Sequence, residues 1–237
     1  MRKLNTIVLF TFFFIIQSCD TKTKQGKQTT KNIPEDQESN TKSSFTNKLK
    51  IPMPTHEIVD EFYEAIFAND NTKVREMLET KFPANYEPNN KISPLGAVIG
   101  TSDNLYLARL LVEGGANING KENPPVVCCS EYGRLEILKY LVERNADIKN
   151  NEAFNKAGFH QFYECGKFLL LNGANQEKGD IRGKLWFFEQ AVTKSDYDVL
   201  HALLLTEDEL NNNNCDGETA LIIAIKQNNI QMVSYLI

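Results

Sequence analysis

The chain has 237 residues, 41% hydrophobic and 10% aromatic, enough for one or two domains with a sizeable core over most of the length. Its formal net charge is −5, but the sign is unevenly spread. Arg2 and Lys3 make a positive start, and residues 20–54 carry seven Lys against Asp20, Glu35, Asp36 and Glu38. Residues 55–237 therefore hold 17 basic and 27 acidic residues, a net −10. So acidic a folded part excludes nucleic acid as the main partner, because phosphate binding needs a basic face. The surplus serves solubility through self-repulsion.

After Arg2 and Lys3, residues 4–16 are almost wholly apolar, with Phe10, Phe12, Phe13 and Phe14 among them. This is the n-region and h-region pattern of a secretory signal. The apolar run falls short of the roughly 20 residues of a transmembrane helix. It ends in Ile16-Gln17-Ser18-Cys19, which resembles the lipobox of bacterial lipoproteins: a branched apolar residue, a spacer, a small residue, then Cys. The resemblance implies that residues 1–18 are removed and that Cys19 becomes the mature N-terminus. Its thiol would carry a diacylglyceryl thioether and its amine a further acyl chain, and two or more buried chains anchor firmly where one does not. Asp20 follows, at the position where some bacteria read an inner-membrane sorting signal.

Residues 19–54 then form the lipidated Cys and a polar segment of Lys, Thr, Gln, Asn and Ser with almost no apolar residue before Phe45. Such a composition buries too little surface to offset its ordering entropy. It is expected to be a disordered tether with a reach of roughly 30–35 Å.

From residue 55 to 237 the sequence repeats itself. Anchor residues fall at Phe62, Leu95, Val126, Phe154, Phe188 and Leu221, spaced by 33, 31, 28, 34 and 33. Three residues after each stands a partner, small in all but one case: Ala65, Val98, Cys129, Ala157, Ala191 and Ala224. A second apolar group lies at twelve, fifteen and sixteen after the anchor. It reads Val74-Met77-Leu78, Leu107-Leu110-Leu111, Leu138-Leu141-Val142, Gly166-Leu169-Leu170, Leu200-Leu203-Leu204 and Val233-Leu236-Ile237. Offsets of three and four give one apolar face per helix. Each unit is then a short helix, a tight turn (Asn228 and Asn229 in the last), a longer helix and a loop. One such unit cannot bury its own face, and six stacked ones can. The short 28-residue step to Phe154 predicts one trimmed loop. Gly166 predicts a weak fourth unit, Trp186 a loop-to-helix junction, and Ile237 an open end of the stack.

These residues resemble the ankyrin repeat. Ser93-Pro94-Leu95 and Thr219-Ala220-Leu221 are similar to its TPLH opening, although no unit has the histidine. Residues 133–142, Gly-Arg-Leu-Glu-Ile-Leu-Lys-Tyr-Leu-Val, are close to its second helix. Gly114-Gly115-Ala116-Asn117, Asn145-Ala146-Asp147 and Asn172-Gly173-Ala174-Asn175 match its exit, where Gly or Asn suits a left-handed cap. The fold class implied is an all-α ankyrin-repeat solenoid of about six helix-turn-helix units with short finger loops.

No cluster in the sequence carries chemistry. His56, His160 and His201 lie in separate units with no ligand-spaced partner, so no metal is expected. No phosphate-binding or nucleophile-elbow motif occurs, so no cofactor and no catalytic residue are assigned. Cys129 stands at a small-residue position and reads as a buried small hydrophobe. Cys128, Cys165 and Cys215 complete the set after Cys19, and outside the cytoplasm a cross-repeat disulfide is chemically allowed.

The resemblance implies docking through the finger loops and the concave face of the first helices, five and six residues after each anchor. The pairs there are Phe67-Ala68, Gly100-Thr101, Glu131-Tyr132, Phe159-His160, Thr193-Lys194 and Lys226-Gln227. Tyr132, Phe159 and His160 are consecutive along the stack, and an aromatic cluster in a groove suits a binding hot spot; Phe159 equally suits space-filling beside the shortened loop. With Glu131, Thr193 and Lys194 they are the expected contact residues for an unidentified protein. The function expected is a monomeric protein-binding scaffold, not an enzyme, lipid-anchored in the bacterial cell envelope. The alternative is an inhibitor or immunity-type protein that blocks a toxin or envelope enzyme.

Overall fold

The alternation of apolar faces with Asn, Asp and Gly folds as helix pairs. The computed structural model describes residues 54–86, 92–120 and 123–237, within a compact unit spanning residues 49–237. The signal segment 1–18, Cys19 and the tether as far as residue 53 lie outside the described residues. The pairs are α1 (His56–Phe67) with α2 (Asn71–Glu79), α3 (Pro94–Thr101) with α4 (Leu105–Glu113), and α5 (Pro125–Tyr132) with α6 (Leu135–Glu143). They continue as α7 (Ala153–Phe159) with α8 (Tyr163–Leu171) and α9 (Ile181–Lys194) with α10 (Tyr197–Ala202). A one-turn helix, α11 (Glu207–Leu210), precedes the pair α12 (Ala220–Lys226) and α13 (Ile230–Leu236).

The hinge inside each pair is built from local polar chemistry. Asn69, Gly133, Gln161, Ser195 and Asn228 hold positive φ, between 54° and 69°, and each is followed by the N-cap of a second helix. Asp70, Asn104, Asp196 and Asn229 cap with their side chains, accepting from the amides of Lys73, Leu107, Val199 and Met232. Such a cap satisfies an amide that the helix leaves open, worth about 1 kcal/mol. Gly115, Asn145 and Gly173 take the same left-handed region where second helices end, as the exit motif requires. Neighbouring units are also stitched by side chains. Asn104 Nδ2 donates to Asn71 Oδ1 at 2.9 Å, Asn229 Nδ2 to Ser195 Oγ at 2.8 Å, and the Asp147 amide to Asn119 Oδ1 at 2.8 Å.

The anchors fill the core: Phe62, Leu95, Val126, Phe154 and Phe188 are buried, with Ala65, Val98, Cys129, Ala157, Ala191 and Ala224. The first helices pack one on the next in the series α1, α3, α5, α7, α9, α12, and second helices α2 to α10 form a parallel layer behind them. Small residues on the first helices let their backbones approach, so that layer is the tighter, inner one. The last pair is covered on one side only among the described residues. There Leu221 is partly buried and Ile237 is 91% exposed.

Four sequence expectations are corrected. Leu204 does not join the core: α10 ends at Ala202, and Leu204 is 68% exposed. Gln176 holds this early end, donating to the Ala202 carbonyl at 3.0 Å and accepting from the Leu204 amide at 2.8 Å. Gly166 does not weaken its unit, because α8 runs unbroken and the Phe187 ring lies where a Cβ would stand. Two finger loops are short, not one, since 144–152 and 172–180 are of equal length. The residues that lengthen the step to Phe188 lie in α9, which starts nearly two turns before its anchor. Trp186 is therefore inside a helix and not at its junction with a loop.

Candidate binding face

The expected contact residues lie where the first helices end. Tyr132 closes α5 and Phe159 closes α7, and each is 44% exposed. His160 Nε2 stands 3.9 Å from Glu131 Oε1, an ion pair once the imidazole is protonated. The Phe159 ring meets His160 edge-on at 5.3 Å, and the Arg182 guanidinium lies 5.1 Å from the Phe159 centroid. Glu131, Phe159 and His160 are thus brought together, with Arg182 added. Lys194 is not: its Nζ lies 5.2 Å from the Tyr163 ring, toward the second-helix layer. Thr193 is exposed on α9.

A cavity of about 630 Å³ opens beside this cluster. Gly158 and Phe159 of α7 form one wall, and Arg182, Leu185, Trp186, Phe188 and Glu189 of α9 form the floor. The 209–218 segment with Ala220 and Ile223 of α12 forms the other wall. Positions 182, 185, 186 and 189 are three and four apart and so share one face of α9. The cavity exists because α9 begins early and α10 stops early. The first change supplies Arg182, Leu185 and Trp186, and the second frees residues 203–219 to fold across. Asn214 fixes the turn on that wall, its Oδ1 accepting from the Asp216 and Glu218 amides, both at 2.9 Å.

Two features hold the cavity in place. Gly158 and Gly183 let α7 and α9 touch backbone to backbone: a Cβ on Gly158 would strike the Gly183 peptide, and one on Gly183 the Asn155 carbonyl. Buried Asn155 then donates to the carbonyls of Gln176 and Lys178, both at 2.8 Å, clamping the loop that leads into α9. Second, Lys184 is fully buried. Its Nζ meets Glu177 Oε1 at 2.8 Å and Glu209 Oε1 at 3.1 Å. Glu209 in turn closes a capping box with Thr206 on α11. Burial pushes the Glu209 carboxyl up, but the Thr206 amide and Lys184 outweigh it and hold it below the usual range.

The four described cysteines are all unbonded thiols. Burial pushes Cys128 up to about 11 and Cys165 up to about 12, and raises Cys129 well above the ordinary thiol, which suppresses their thiolates at neutral pH. Cys215 alone of the four is exposed, and it lines the cavity. Sequence reading named Phe159 but missed Arg182, Leu185 and Glu189 as surface residues. The readable signal was Asp180, an N-cap whose carboxylate accepts from the Arg182 amide at 2.9 Å; Gly183 hid the start of the helix behind a residue that usually breaks one.

Residues 188–237 match the family described as ankyrin repeats (many copies). Over 50 residues, 21% of this chain, the sequence is 44% identical to ankyrin repeat protein R886 of Acanthamoeba polyphaga mimivirus. That match spans 36% of the viral protein's length. The crystal structure of the human ASB11 ankyrin repeat domain superposes with a TM-score of 0.56 at 19% identity, covering 74% of this chain and 82% of that one. Identity so low speaks to the fold. The fold is an ankyrin-repeat solenoid, and residues 188–237 carry the family's sequence signature as well.

Proposed function

We propose that this chain is a protein-binding scaffold held in the bacterial cell envelope by an acylated Cys19, with residues 20–54 as its tether and no catalytic role of its own. The observation that carries the binding reading is the pair of half-exposed aromatic residues on the inner layer, Tyr132 and Phe159, the second of which lines the cavity together with Trp186. Rigid aromatic groups next to a concavity are where interface energy concentrates. A stack of helix pairs also gives a long, stiff surface with no need for a reactive centre. Two of the described finger loops carry both signs, with Asp147 and Lys149 in one and Glu177 and Lys178 in the next, whereas residues 203–219 carry Glu207, Asp208, Glu209, Asp216 and Glu218 and no Lys or Arg. That acidic loop is the feature that suits the alternative reading, an inhibitor of a basic toxin or envelope enzyme.

The tether is tested by growing a bacterial host with labelled palmitate. The full chain is expected to take up label and to sediment with membranes, and Cys19→Ser to do neither. Label on the Cys19→Ser protein would refute the anchor. The binding face is tested by capture of envelope proteins on the immobilised full chain. Tyr132→Ala with His160→Ala is expected to lower recovery of the partner about tenfold while leaving the melting temperature unchanged. A parallel fall in both would make these residues packing and not contact.

A further inference from the structure

The cavity between α7, α9 and the 209–218 segment is mainly apolar, with four charged side chains at its edge. Three of these are already neutralised. Arg182 is held by Asp180 at 2.5 Å, Glu209 by Lys184, and Glu218 by Lys226. Glu189 is different. It is half-buried on the cavity floor, and its hydrogen-bond partner is the neutral amide of Asn214, whose Nδ2 donates at a long 3.3 Å. No cation among the described residues pairs with it. Trp186 stands three residues earlier on the same helix face, so the indole and the carboxylate are neighbours.

We propose that this cavity receives an arginine side chain of the partner protein together with the bulky apolar residue next to it. The proposal deepens the scaffold reading and rests on it. An indole beside an unpaired carboxylate is matched better by a guanidinium than by an ammonium, because the planar group stacks on the ring while its fork meets both carboxylate oxygens. The volume, about 630 Å³, exceeds what one side chain fills and falls within the range of sites that hold drug-sized ligands. Leu185, Phe188 and Ile223 supply the apolar wall for the neighbouring residue. The wall of the cavity points the same way, since residues 203–219 carry five acidic side chains and no Lys or Arg, which favours approach of a basic segment.

The chain has a single Trp, so its intrinsic fluorescence reports on this cavity directly. The full chain, reconstituted in phosphatidylcholine vesicles, is titrated with acetyl-Leu-Arg-Leu-amide. A second reading follows labelling of Cys215 on the cavity wall by a thiol reagent. Saturable change in Trp186 emission and slowed labelling of Cys215 are expected. Glu189→Gln keeps an acceptor for Asn214 and is expected to raise the apparent Kd about tenfold with an unchanged melting temperature, and acetyl-Leu-Gln-Leu-amide to bind about tenfold more weakly than the arginine peptide. No saturable change in either reading overturns the proposal. So does equal binding of the arginine and glutamine peptides, or an unchanged Kd in Glu189→Gln. Failure here is separable from failure of the scaffold reading: partner capture that survives Glu189→Gln but is lost with Tyr132→Ala and His160→Ala keeps the scaffold and removes this site.

Discussion

Replacing Gly183 by Ala is expected to destabilise the protein by about 3 kcal/mol or more, at the upper end of what overpacking costs. The added Cβ would lie well inside contact distance of the Asn155 carbonyl, carbon and Cα. Backbone cannot evade a clash by changing rotamer, so α7 and α9 must separate. That separation strips cover from Phe154 and Phe187, whose rings meet at 5.2 Å. Gly158→Ala should behave alike, since its Cβ would meet the Gly183 peptide. Gly100→Ala is the control: nothing lies within 4 Å of its Cβ position on α3. It should be neutral or stabilise by up to about 1 kcal/mol through helix propensity. Because a solenoid's units touch only their neighbours, urea unfolding of Gly183→Ala should resolve into two steps, with α1 to α6 melting second.

Lys184→Ala is expected to cost about 3 kcal/mol, because it leaves Glu209 without its cation and opens a void where a buried stem had packed. Most of this comes from Glu209, whose side chain is 14% exposed; Glu177 is 66% exposed and water screens its share. Lys184→Met fills the space and should lose less, about 1–2 kcal/mol. The pH dependence has a definite sign. The folded carboxyl of Glu209 titrates below its ordinary range, so its contribution is present at neutral pH and fades as pH falls through that lowered value. The gap between wild type and Lys184→Ala in urea should therefore narrow on acidification. Limited proteolysis should find residues 203–219 opened in Lys184→Ala at neutral pH. Equal cleavage of both proteins would detach this segment from Lys184.

The stack was legible in the sequence because burial there repeats. Phe62, Leu95, Val126, Phe154 and Phe188 recur at nearly constant spacing, and each has Ala, Val or Cys three residues on. The structure buries every one of them. The hinge and exit residues were legible for a local reason, since Asn and Gly tolerate the left-handed region that Asn145, Gly173 and Asn228 adopt. What failed lies where a local signal competed with the period. The run Leu203-Leu204-Leu205 continues a helical face, yet Thr206 with Glu209 forms a capping box that starts a new helix. Gln176, from another unit, satisfies the ends so exposed. Gly166 read as a helix weakness and Gly183 drew no reading, and both are spaces that another element fills, the Phe187 ring in one case and the α7 backbone in the other. The cavity depends on both departures at once, so no single segment announced it.

The inner layer is expected to meet the partner and the outer layer is not. Hydroxyl-radical footprinting of the full chain, alone and with the captured envelope partner, tests this most directly. Tyr132 and Phe159 on the inner helices are each 44% exposed, and Tyr106 on the outer helix α4 is 45% exposed, so the three begin with nearly equal solvent access. The partner should shield Tyr132, Phe159 and Trp186 and leave the oxidation of Tyr106 unchanged. Shielding of Tyr106 with Tyr132 and Phe159 still fully oxidised would contradict docking on the inner layer.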